Sequence, residues 1–261
     1  MDLKLTNKKV LVTGSTKGIG KAIAKTLVRE GAEVVINGRS QESVEAALCD
    51  IKTSVENAKI SGIPCDFSKP KEIEELIAVT GDVDILINNV GIFEPKDFLD
   101  IPNEDWLRFF EINVMSGVRL SKSFLPYMLK QDWGRIIFIS SESGINIPVE
   151  MVHYGMTKTA QLAISRGIAE TTKGTQVTVN AILPGPTLSE GVKEFAEIGE
   201  KNSKKEVEKE FFKTERPSSL LQRFADPQEV ANMVAYISSP LSSATNGAAL
   251  RVDGGVVKTA F

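Results

Sequence analysis

Residues 9–20 read KVLVTGSTKGIG, and this stretch decides the fold. Its first five residues form a short β-rich apolar run, and residues 18–30 continue as a helical pattern. The glycines Gly14, Gly18 and Gly20 suit this junction: one allows a sharp turn, one lets the backbone approach a pyrophosphate, and one lets the helix pack on the strand. The N-terminus of the helix presents unpaired N–H groups to the phosphate. The stretch therefore predicts a strand–turn–helix unit that binds a dinucleotide, with glycines spaced G-x-x-x-G-x-G instead of the usual G-x-G-x-x-G.

The rest of the chain alternates short apolar runs with longer helical patterns, which indicates a parallel sheet covered on both faces. We predict strands at 9–13, 33–37, 58–63, 83–87, 135–139, 177–181 and 248–252, and helices at 18–30, 41–56, 70–79, 104–129, 152–173 and 227–238. This pattern predicts an α/β fold: a Rossmann-type doubly wound parallel β-sheet flanked by helices on both faces. No linker or internal repeat divides the sequence, so we expect one domain over residues 1–261.

One segment, residues 188–222, does not fit the alternation. It contains the charged run Lys201–Glu210, followed by Phe211-Phe212. Two interpretations stay open: a solvated amphipathic helix, or a substrate-binding loop that closes over the active site as a lid.

Composition excludes several classes of function. Hydrophobic residues make up 42% of the chain and charged residues 25%, and the net charge of −3 gives no basic field for nucleic acid. Apolar runs are too short to span a membrane, and the N-terminus lacks the pattern of a secretory signal, so we expect a cytoplasmic protein with no membrane partner. His153 is the one histidine, and the two cysteines, Cys49 and Cys65, are distant from each other, so we expect no metal site.

The end of the second predicted strand reads Asn37-Gly38-Arg39-Ser40 and carries no carboxylate. An acidic residue at this point would accept a hydrogen bond from a ribose 2′-hydroxyl and repel a 2′-phosphate. Arg39 and Lys17 are cations instead, and the forked donors of arginine suit a phosphate. We therefore predict NADP(H) as the preferred cofactor, with NAD(H) as the alternative.

Ser141, Tyr154 and Lys158 form the combination that indicates chemistry. Ser141 follows the fifth predicted strand, at the sheet edge where open α/β sheets bind ligands. Tyr154 and Lys158 are four residues apart in a helical pattern and share one face. We expect the lysine ammonium to lower the tyrosine pKa, so that Tyr154 exchanges a proton with a carbonyl oxygen that Ser141 holds.

The order of these motifs resembles that of the short-chain dehydrogenase/reductase family, over about residues 5–255. Within that family, the chain is similar to 3-oxoacyl-carrier-protein-reductase-like oxidoreductases. The resemblance rests on residues 13–20, Asn88-Asn89-Val90-Gly91, Asn113, Ser141, Tyr154 to Lys158, Pro184-Gly185 and Asp253-Gly254-Gly255. It implies an NAD(P)-dependent enzyme that acts on CH–OH groups, and a homotetramer in which the helices at 104–129 and 152–173 pair across one interface.

The resemblance also implies roles for individual residues. Asn113 would complete a catalytic tetrad with Ser141, Tyr154 and Lys158, and would hold a water in a proton relay through Lys158. Asp66 would contact adenine, Asn89 the adenosine ribose region, and Thr187 and Ser189 the nicotinamide carboxamide and the phosphates. The full set of expected cofactor residues is Gly14, Thr16, Lys17, Gly18, Ile19, Gly20, Arg39, Asp66, Phe67, Asn89, Gly91, Tyr154, Lys158, Pro184, Gly185, Thr187 and Ser189.

The substrate is the least determined part of the prediction. We expect Phe93, Ser143 and Ile145 to line its pocket, with Ile92, Ile147, Val149 and Leu188, and this apolar majority favours a moderately apolar ketone or alcohol. A 3-oxoacyl-carrier-protein reductase is the first alternative, although the turn 130–135 carries an acid, Asp132, where a docking site for an acidic carrier would need a base. A catalytically silent, cofactor-binding regulatory protein is the second alternative, and an unrelated α/β nucleotide binder such as a methyltransferase is the third.

Overall fold

The computed structural model describes residues 1–195 and 203–260. In this part of the chain, seven parallel strands form one sheet in the order β3-β2-β1-β4-β5-β6-β7. The strands are β1 Lys9–Val12, β2 Glu33–Gly38, β3 Ile60–Pro64, β4 Ile85–Asn88, β5 Gly134–Ile139, β6 Val177–Pro184 and β7 Ala249–Val252. The predicted doubly wound parallel sheet is confirmed, because the order reverses where β1 pairs with β2 on one side and with β4 on the other.

Helices cover both faces of the sheet. They are α1 Gly18–Arg29, α2 Gln41–Ser54, α3 Pro70–Thr80, α4 Asn103–Phe110, α5 Ser116–Lys130, α6 Val152–Thr171, α7 Glu190–Phe195, α8 Lys204–Thr214 and α9 Pro227–Ser238. One apolar core lies on the face that α1, α2 and α9 cover, and a second lies on the face of α3, α5 and α6. The central strands β4, β5 and β6 are buried along their whole length, which explains why they read as nearly continuous apolar runs, whereas the edge strands β3 and β7 are partly exposed.

The predicted helix over 104–129 is interrupted in the structure. A π-helical turn, Glu111–Met115, separates α4 from α5. Such turns leave the regular helical hydrogen-bond pattern and free backbone groups for other partners. Here the turn contains Asn113, which was predicted as a catalytic residue.

The segment 188–222 contains the two helices α7 and α8. The charged run, for which a solvated amphipathic helix was one of two interpretations, mostly lies in α8, where Ser203 caps the helix and exchanges hydrogen bonds with Glu206. Lys201 and Asn202, at its start, lie outside the described residues. In the part of the chain that the structure describes, no helix is long and apolar enough to cross a membrane.

The ends of β6 and β7 pack so closely that a side chain at Gly185 has no room. A Cβ there would lie 2.5 Å from the backbone oxygen of Asp253. Gly167 lies on the exposed side of α6 and gives the opposite case. A Cβ added there would have no atom within 4 Å.

This contrast predicts opposite effects of one methyl group on stability. Gly185→Ala should lower the free energy of unfolding by about 1–3 kcal/mol, because backbone must move to admit the Cβ. Gly167→Ala should raise it by about 0.5–1 kcal/mol, because alanine favours the helix. Urea unfolding at one fixed protein concentration measures the free energy of unfolding of both variants and of the unsubstituted chain. Equal stability of the Gly185→Ala variant and the unsubstituted chain would contradict the described packing.

Candidate active site

A cavity of about 290 Å³ lies at the edge of the sheet where β4, β5 and β6 end. Many residues predicted from the sequence line it together. They are Ile19, Asn89, Gly91, Phe93, Ser141, Ser143, Tyr154, Lys158, Pro184, Gly185, Thr187 and Ser189. The carboxyl ends of parallel strands meet at one edge, so residues distant in the sequence come together there.

Ser141 and Tyr154 form one wall of the cavity. Ser141 caps a 3₁₀ turn, Glu142–Gly144, and its Oγ accepts a hydrogen bond from the backbone N–H of Ser143 at 3.1 Å. This leaves the O–H of Ser141 available as a donor. Tyr154 lies in the first turn of α6, where burial raises its pKa to about 12 while a hydrogen bond with Ser141 opposes the rise.

Lys158 lies one helical turn after Tyr154 and is 4% exposed. Its Nζ donates to the backbone oxygen of Ile139 at 2.9 Å and to Oε1 of Gln161 at 3.4 Å. Burial without a carboxylate partner lowers the pKa of Lys158 to about 7, because the charged amine is deprived of water.

These contacts correct the expected electrostatics of the pair. We expected the Lys158 ammonium to lower the pKa of Tyr154, but burial dominates in the protein without cofactor and the tyrosine pKa is raised. The amine lies 5.6 Å from the centre of the Tyr154 ring and its hydrogen bonds go to backbone and amide oxygens. The sequence could show that the two residues share a helix face, but not how deeply that face is buried.

Asn113 is buried beside the cavity and does not line it. Its Oδ1 accepts from the backbone N–H of Ile92 at 2.7 Å, and its Nδ2 donates to the backbone oxygen of Ile92 and to Oγ1 of Thr157, both at 3.0 Å. The backbone oxygen of Asn113 accepts from Nε2 of Gln161 at 2.6 Å. The side chain thus fixes the loop after β4, and the carbonyl faces α6.

The glycine-rich turn after β1 is held from two sides. Nδ2 of Asn89 donates to the backbone oxygens of Thr13 and Gly14 at 3.0 and 2.9 Å, and Oδ1 of Asn37 accepts from the N–H of Gly14 at 3.2 Å. Gly14 has a φ of +59°, and a Cβ at Gly20 would lie 2.4 Å from the Gly14 oxygen. The amide nitrogen of Asn89, expected to meet the adenosine ribose region, therefore supports the turn.

The N-terminus of α1 fits a phosphate group. The side chain of the N-cap residue, Lys17, does not cap the helix, and the first turn contains no acidic residue. The N–H of Gly18 instead donates to a carboxylate oxygen of Glu190 at 2.7 Å. A carboxylate oxygen thus binds at the N-terminus of α1, and the same N–H donor suits the pyrophosphate of a dinucleotide cofactor.

The other predicted residues of the adenosine end lie around the end of β2. Thr16 packs against the end of β2, since a Cβ added at Gly38 would lie 2.5 Å from the methyl carbon of Thr16. Arg39, the next residue, is exposed. Oδ1 of Asp66 accepts from the backbone N–H and the hydroxyl of Ser68, which lowers the pKa of Asp66.

Phe67, which follows Asp66, is 4% exposed and belongs to the apolar core beneath the sheet edge. Its ring packs inside the protein, so only its backbone can meet a cofactor.

The structure brings two of the three expected substrate residues to the cavity. Phe93 and Ser143 line it, but Ile145 does not. The 3₁₀ turn bonds the Ile145 N–H to the Glu142 oxygen and directs the chain away, which leaves Ile145 42% exposed. The additional expectations of Ile92, Ile147, Val149 and Leu188 also fall outside the cavity lining.

Sequence reasoning missed a buried ion pair in the cavity wall. Nε of Arg216 donates to Oε1 of Glu142 at 2.9 Å, and its Nη1 donates to Glu150 at 3.3 Å. Burial raises the pKa of Glu142, although Arg216 opposes the rise. The one available signal was the acidic residue Glu142 directly after Ser141, in the turn that follows β5.

Several apolar residues of the cavity were also missed, because they come from distant parts of the chain: Pro95, Met151, Val192, Phe211 and Phe224. No group of three or more potential metal ligands occurs within residues 1–195 and 203–260.

Comparison with known proteins gives the family. The model of the short chain dehydrogenase family matches residues 8–198. The chain is 49% identical to the uncharacterized oxidoreductase YvaG of Bacillus subtilis, with all of both chains covered. It is 35% identical to the 3-oxoacyl-[acyl-carrier-protein] reductase of Aquifex aeolicus, over 98% of this chain and 100% of that one.

The fold is also similar to that of L-sorbose reductase from Gluconobacter frateurii, solved with NADPH and L-sorbose. The TM-score is 0.91 at 27% identity, and the match covers 99% of this chain and 100% of the other. Together with the fold and the glycine-rich turn, these matches show that the chain belongs to the short-chain dehydrogenase/reductase family and is a nicotinamide-dependent oxidoreductase acting on CH–OH groups.

Proposed function

We propose that this protein is an NADPH-dependent carbonyl reductase in which Tyr154 is the proton donor, and that its substrate is a moderately apolar ketone. One observation carries the proposal: Ser141, Tyr154 and Lys158 line a single cavity together with Pro184 and Gly185. A hydroxyl, a phenol and an amine thus line one cavity, which supports a reaction at a carbonyl group.

The chain's own residues act on the substrate oxygen and its proton. Ser141 donates its O–H to the carbonyl oxygen and polarises the bond, while its Oγ accepts a hydrogen bond from the Ser143 N–H that holds the hydroxyl in place. Tyr154 donates the proton, and its high pKa keeps that proton in place at neutral pH. A reduced nicotinamide supplies hydride to the carbonyl carbon when it is bound. Lys158 is the source from which Tyr154 regains its proton, and it would donate to the ribose of a bound cofactor, with Asn113 as a positioning residue behind it.

The preference for NADPH rests on charge at the end of β2. Arg39 is exposed there, and the carboxyl group that would reject a 2′-phosphate is missing from the sequence 37–40. Asp66 is close enough to Arg39 for the arginine charge to help lower the pKa of Asp66. This position agrees with the expected role of Asp66 at the adenine. The similarity to L-sorbose reductase, which was solved with NADPH, supports the same choice.

The cavity lining supports an uncharged, moderately apolar substrate. Phe93, Met151, Phe211 and Phe224 provide apolar surface. The buried charges do not favour an anion, because Arg216 is already paired with the two carboxylates of Glu142 and Glu150. A panel of neutral ketones, their carboxylate analogues and sugars tests this, and turnover of highly charged sugars alone would overturn it.

A 3-oxoacyl-carrier-protein reductase is the second candidate. The 35% identity to the Aquifex aeolicus enzyme favours it. Turnover of a carrier-bound 3-oxoacyl chain far above that of free ketones would establish this role instead.

Three further expectations stay proposals. The described parts of segment 188–222 act as a lid, which is supported by Phe211 and Arg216 in the cavity wall and by the contact of Glu190 with α1. The protein assembles as a homotetramer, which is supported by the exposed apolar side chain of Leu107 on α4. A cytoplasmic location stays a prediction from the sequence.

Tyr154→Phe should lower kcat by about 10²–10⁴-fold, because it removes the proton donor and little else. NADPH binding, followed by cofactor fluorescence, should be unchanged. Tyr127→Phe on α5 is the matched control, since it makes the same chemical change away from the cavity. Turnover that survives in the Tyr154→Phe variant would rule out the mechanism, and a wild-type chain that binds NADPH but reduces no ketone would favour the silent regulatory protein.

Arg39→Ala should lower kcat/KM with NADPH by about 10–100-fold, because a charge-assisted hydrogen bond to the 2′-phosphate is lost. The value with NADH should change little, since NADH has no such phosphate. Lys52→Ala, on the exposed side of α2, is the control for loss of a surface cation. An equal loss with both cofactors, or a wild-type preference for NADH, would contradict the assignment.

A further inference from the structure

The side chain of Gln161 connects two residues of the active site. Gln161 is 1% exposed and lies one helical turn after Lys158 on α6. Its Nε2 donates to the backbone oxygen of Asn113 at 2.6 Å, and its Oε1 accepts from Nζ of Lys158 at 3.4 Å. A single amide thus joins the π-helical turn to the buried amine.

The orientation of this amide is fixed by chemistry. The Asn113 carbonyl can only accept a hydrogen bond, so the NH₂ group of Gln161 must face it. The amide oxygen is then directed towards Lys158, whose ammonium can only donate. In a reversed amide, the Gln161 oxygen would face the Asn113 carbonyl oxygen, and both are acceptors. The Gln161 NH₂ group would face the Lys158 ammonium, and both are donors.

The Asn113 carbonyl that Gln161 contacts lies in the π-helical turn Glu111–Met115. A regular α-helix would engage the carbonyl of each residue with the N–H four positions later, whereas a π-turn breaks that sequence. The side chain of Asn113 is meanwhile occupied by Ile92 and Thr157. The resemblance to the family implied that Asn113 holds a water in a relay to Lys158; here the Asn113 carbonyl has a protein partner that reaches Lys158 directly.

We propose that Gln161 is a positioning residue of this active site, which ties Lys158 to the Asn113 backbone and stabilises the charged form of its amine. A buried ammonium needs acceptors, because it has lost its water. In the described chain, Lys158 Nζ has two acceptors, the Ile139 carbonyl and Gln161, so the amide supplies one of them. The role rests on the proposed function, in which Lys158 lies on the proton path.

Among the described residues, few other charged groups can affect the protonation state of the Lys158 amine. On α6 itself, the Tyr154 ring centre is 5.6 Å from Nζ, and His153 packs against the Phe109 ring of α4 at 4.1 Å. From the turn after β5 and the segment before α9, Glu142 and Arg216 act on the Tyr154 hydroxyl with opposite signs.

The remaining neighbours of the amine are neutral. β5 presents the Ile139 carbonyl and the π-helical turn presents Asn113. The loop after β4 presents Gly91, where a Cβ would lie 3.4 Å from Nζ. A change at Gln161 should therefore act on Lys158 without being masked by a nearby carboxylate.

The direct test is the pKa of Lys158 in the protein without cofactor, which needs no substrate. Lysines are labelled with ¹³C at Cε, the Lys158 signal is identified by its loss in Lys158→Arg, and its shift is followed by NMR against pH. Gln161→Met has a similar volume and no acceptor, so it should lower the Lys158 pKa by about one unit.

Gln161→Glu should keep that pKa at or above the wild-type value, because a neutral or ionised carboxyl group still presents an oxygen to the amine. Ser165→Ala is the matched control: Ser165 lies one turn further along α6, is 2% exposed, and its hydroxyl has no hydrogen-bond partner among the described residues. It should leave the Lys158 pKa unchanged.

An unchanged Lys158 pKa in the Met variant would overturn the proposal. If the Met variant does not fold, the Glu variant decides, since a pKa below the wild-type value would overturn the proposal and any other value supports it. With substrate, the upper limb of the kcat–pH profile of the Met variant should move down with the Lys158 pKa while KM stays the same. Absence of any turnover in the wild-type chain would refute the proposed function and leave the NMR result standing.

Discussion

All seven strands of the described sheet run parallel, so they end at one edge, and the site depends on this constraint. The order reverses between β1 and β4, which separates the loops after these strands and opens a crevice. The glycine-rich turn stands on one side of the crevice and the Ser141 turn on the other. The proposed cofactor site and the proposed reaction site therefore meet at this edge of the sheet.

Burial decides the electrostatics at this edge. Tyr154 and Lys158 are both pushed towards their neutral forms, and carbonyl oxygens, not carboxylates, hold the lysine. Such an arrangement leaves the pair poised, since a bound cofactor or substrate can change its protonation more than it could that of a solvated pair. The buried ion pair of Arg216 and Glu142 lies in the same cavity wall, where the two opposite charges offset each other. Arg216 comes from a segment that the family motifs do not include.

The sequence predicted the parallel sheet because that fold follows from local pattern. Apolar runs between helical patterns predicted the strands to within a few residues and placed Ser141 just after β5. Other residues of the cavity lining, such as Asn89 and Pro184, were implied by the resemblance to the family. The sequence could not give the destinations of side chains. Asn89 supports the glycine turn, Phe67 packs into the core, and Ile145 faces away from the cavity, each because of neighbours distant in the chain. The role of Gln161 depends on a π-turn that no residue pattern marks.

A crystal structure of the protein with NADPH tests the central claim most directly, because the cofactor must enter the crevice for the site to act. The account predicts that the pyrophosphate binds the N–H of Gly18 in place of the Glu190 carboxylate, that the 2′-phosphate contacts Arg39, and that the nicotinamide lies in the cavity beside Tyr154. Density for NADPH elsewhere, with Glu190 still bonded to Gly18, would contradict it.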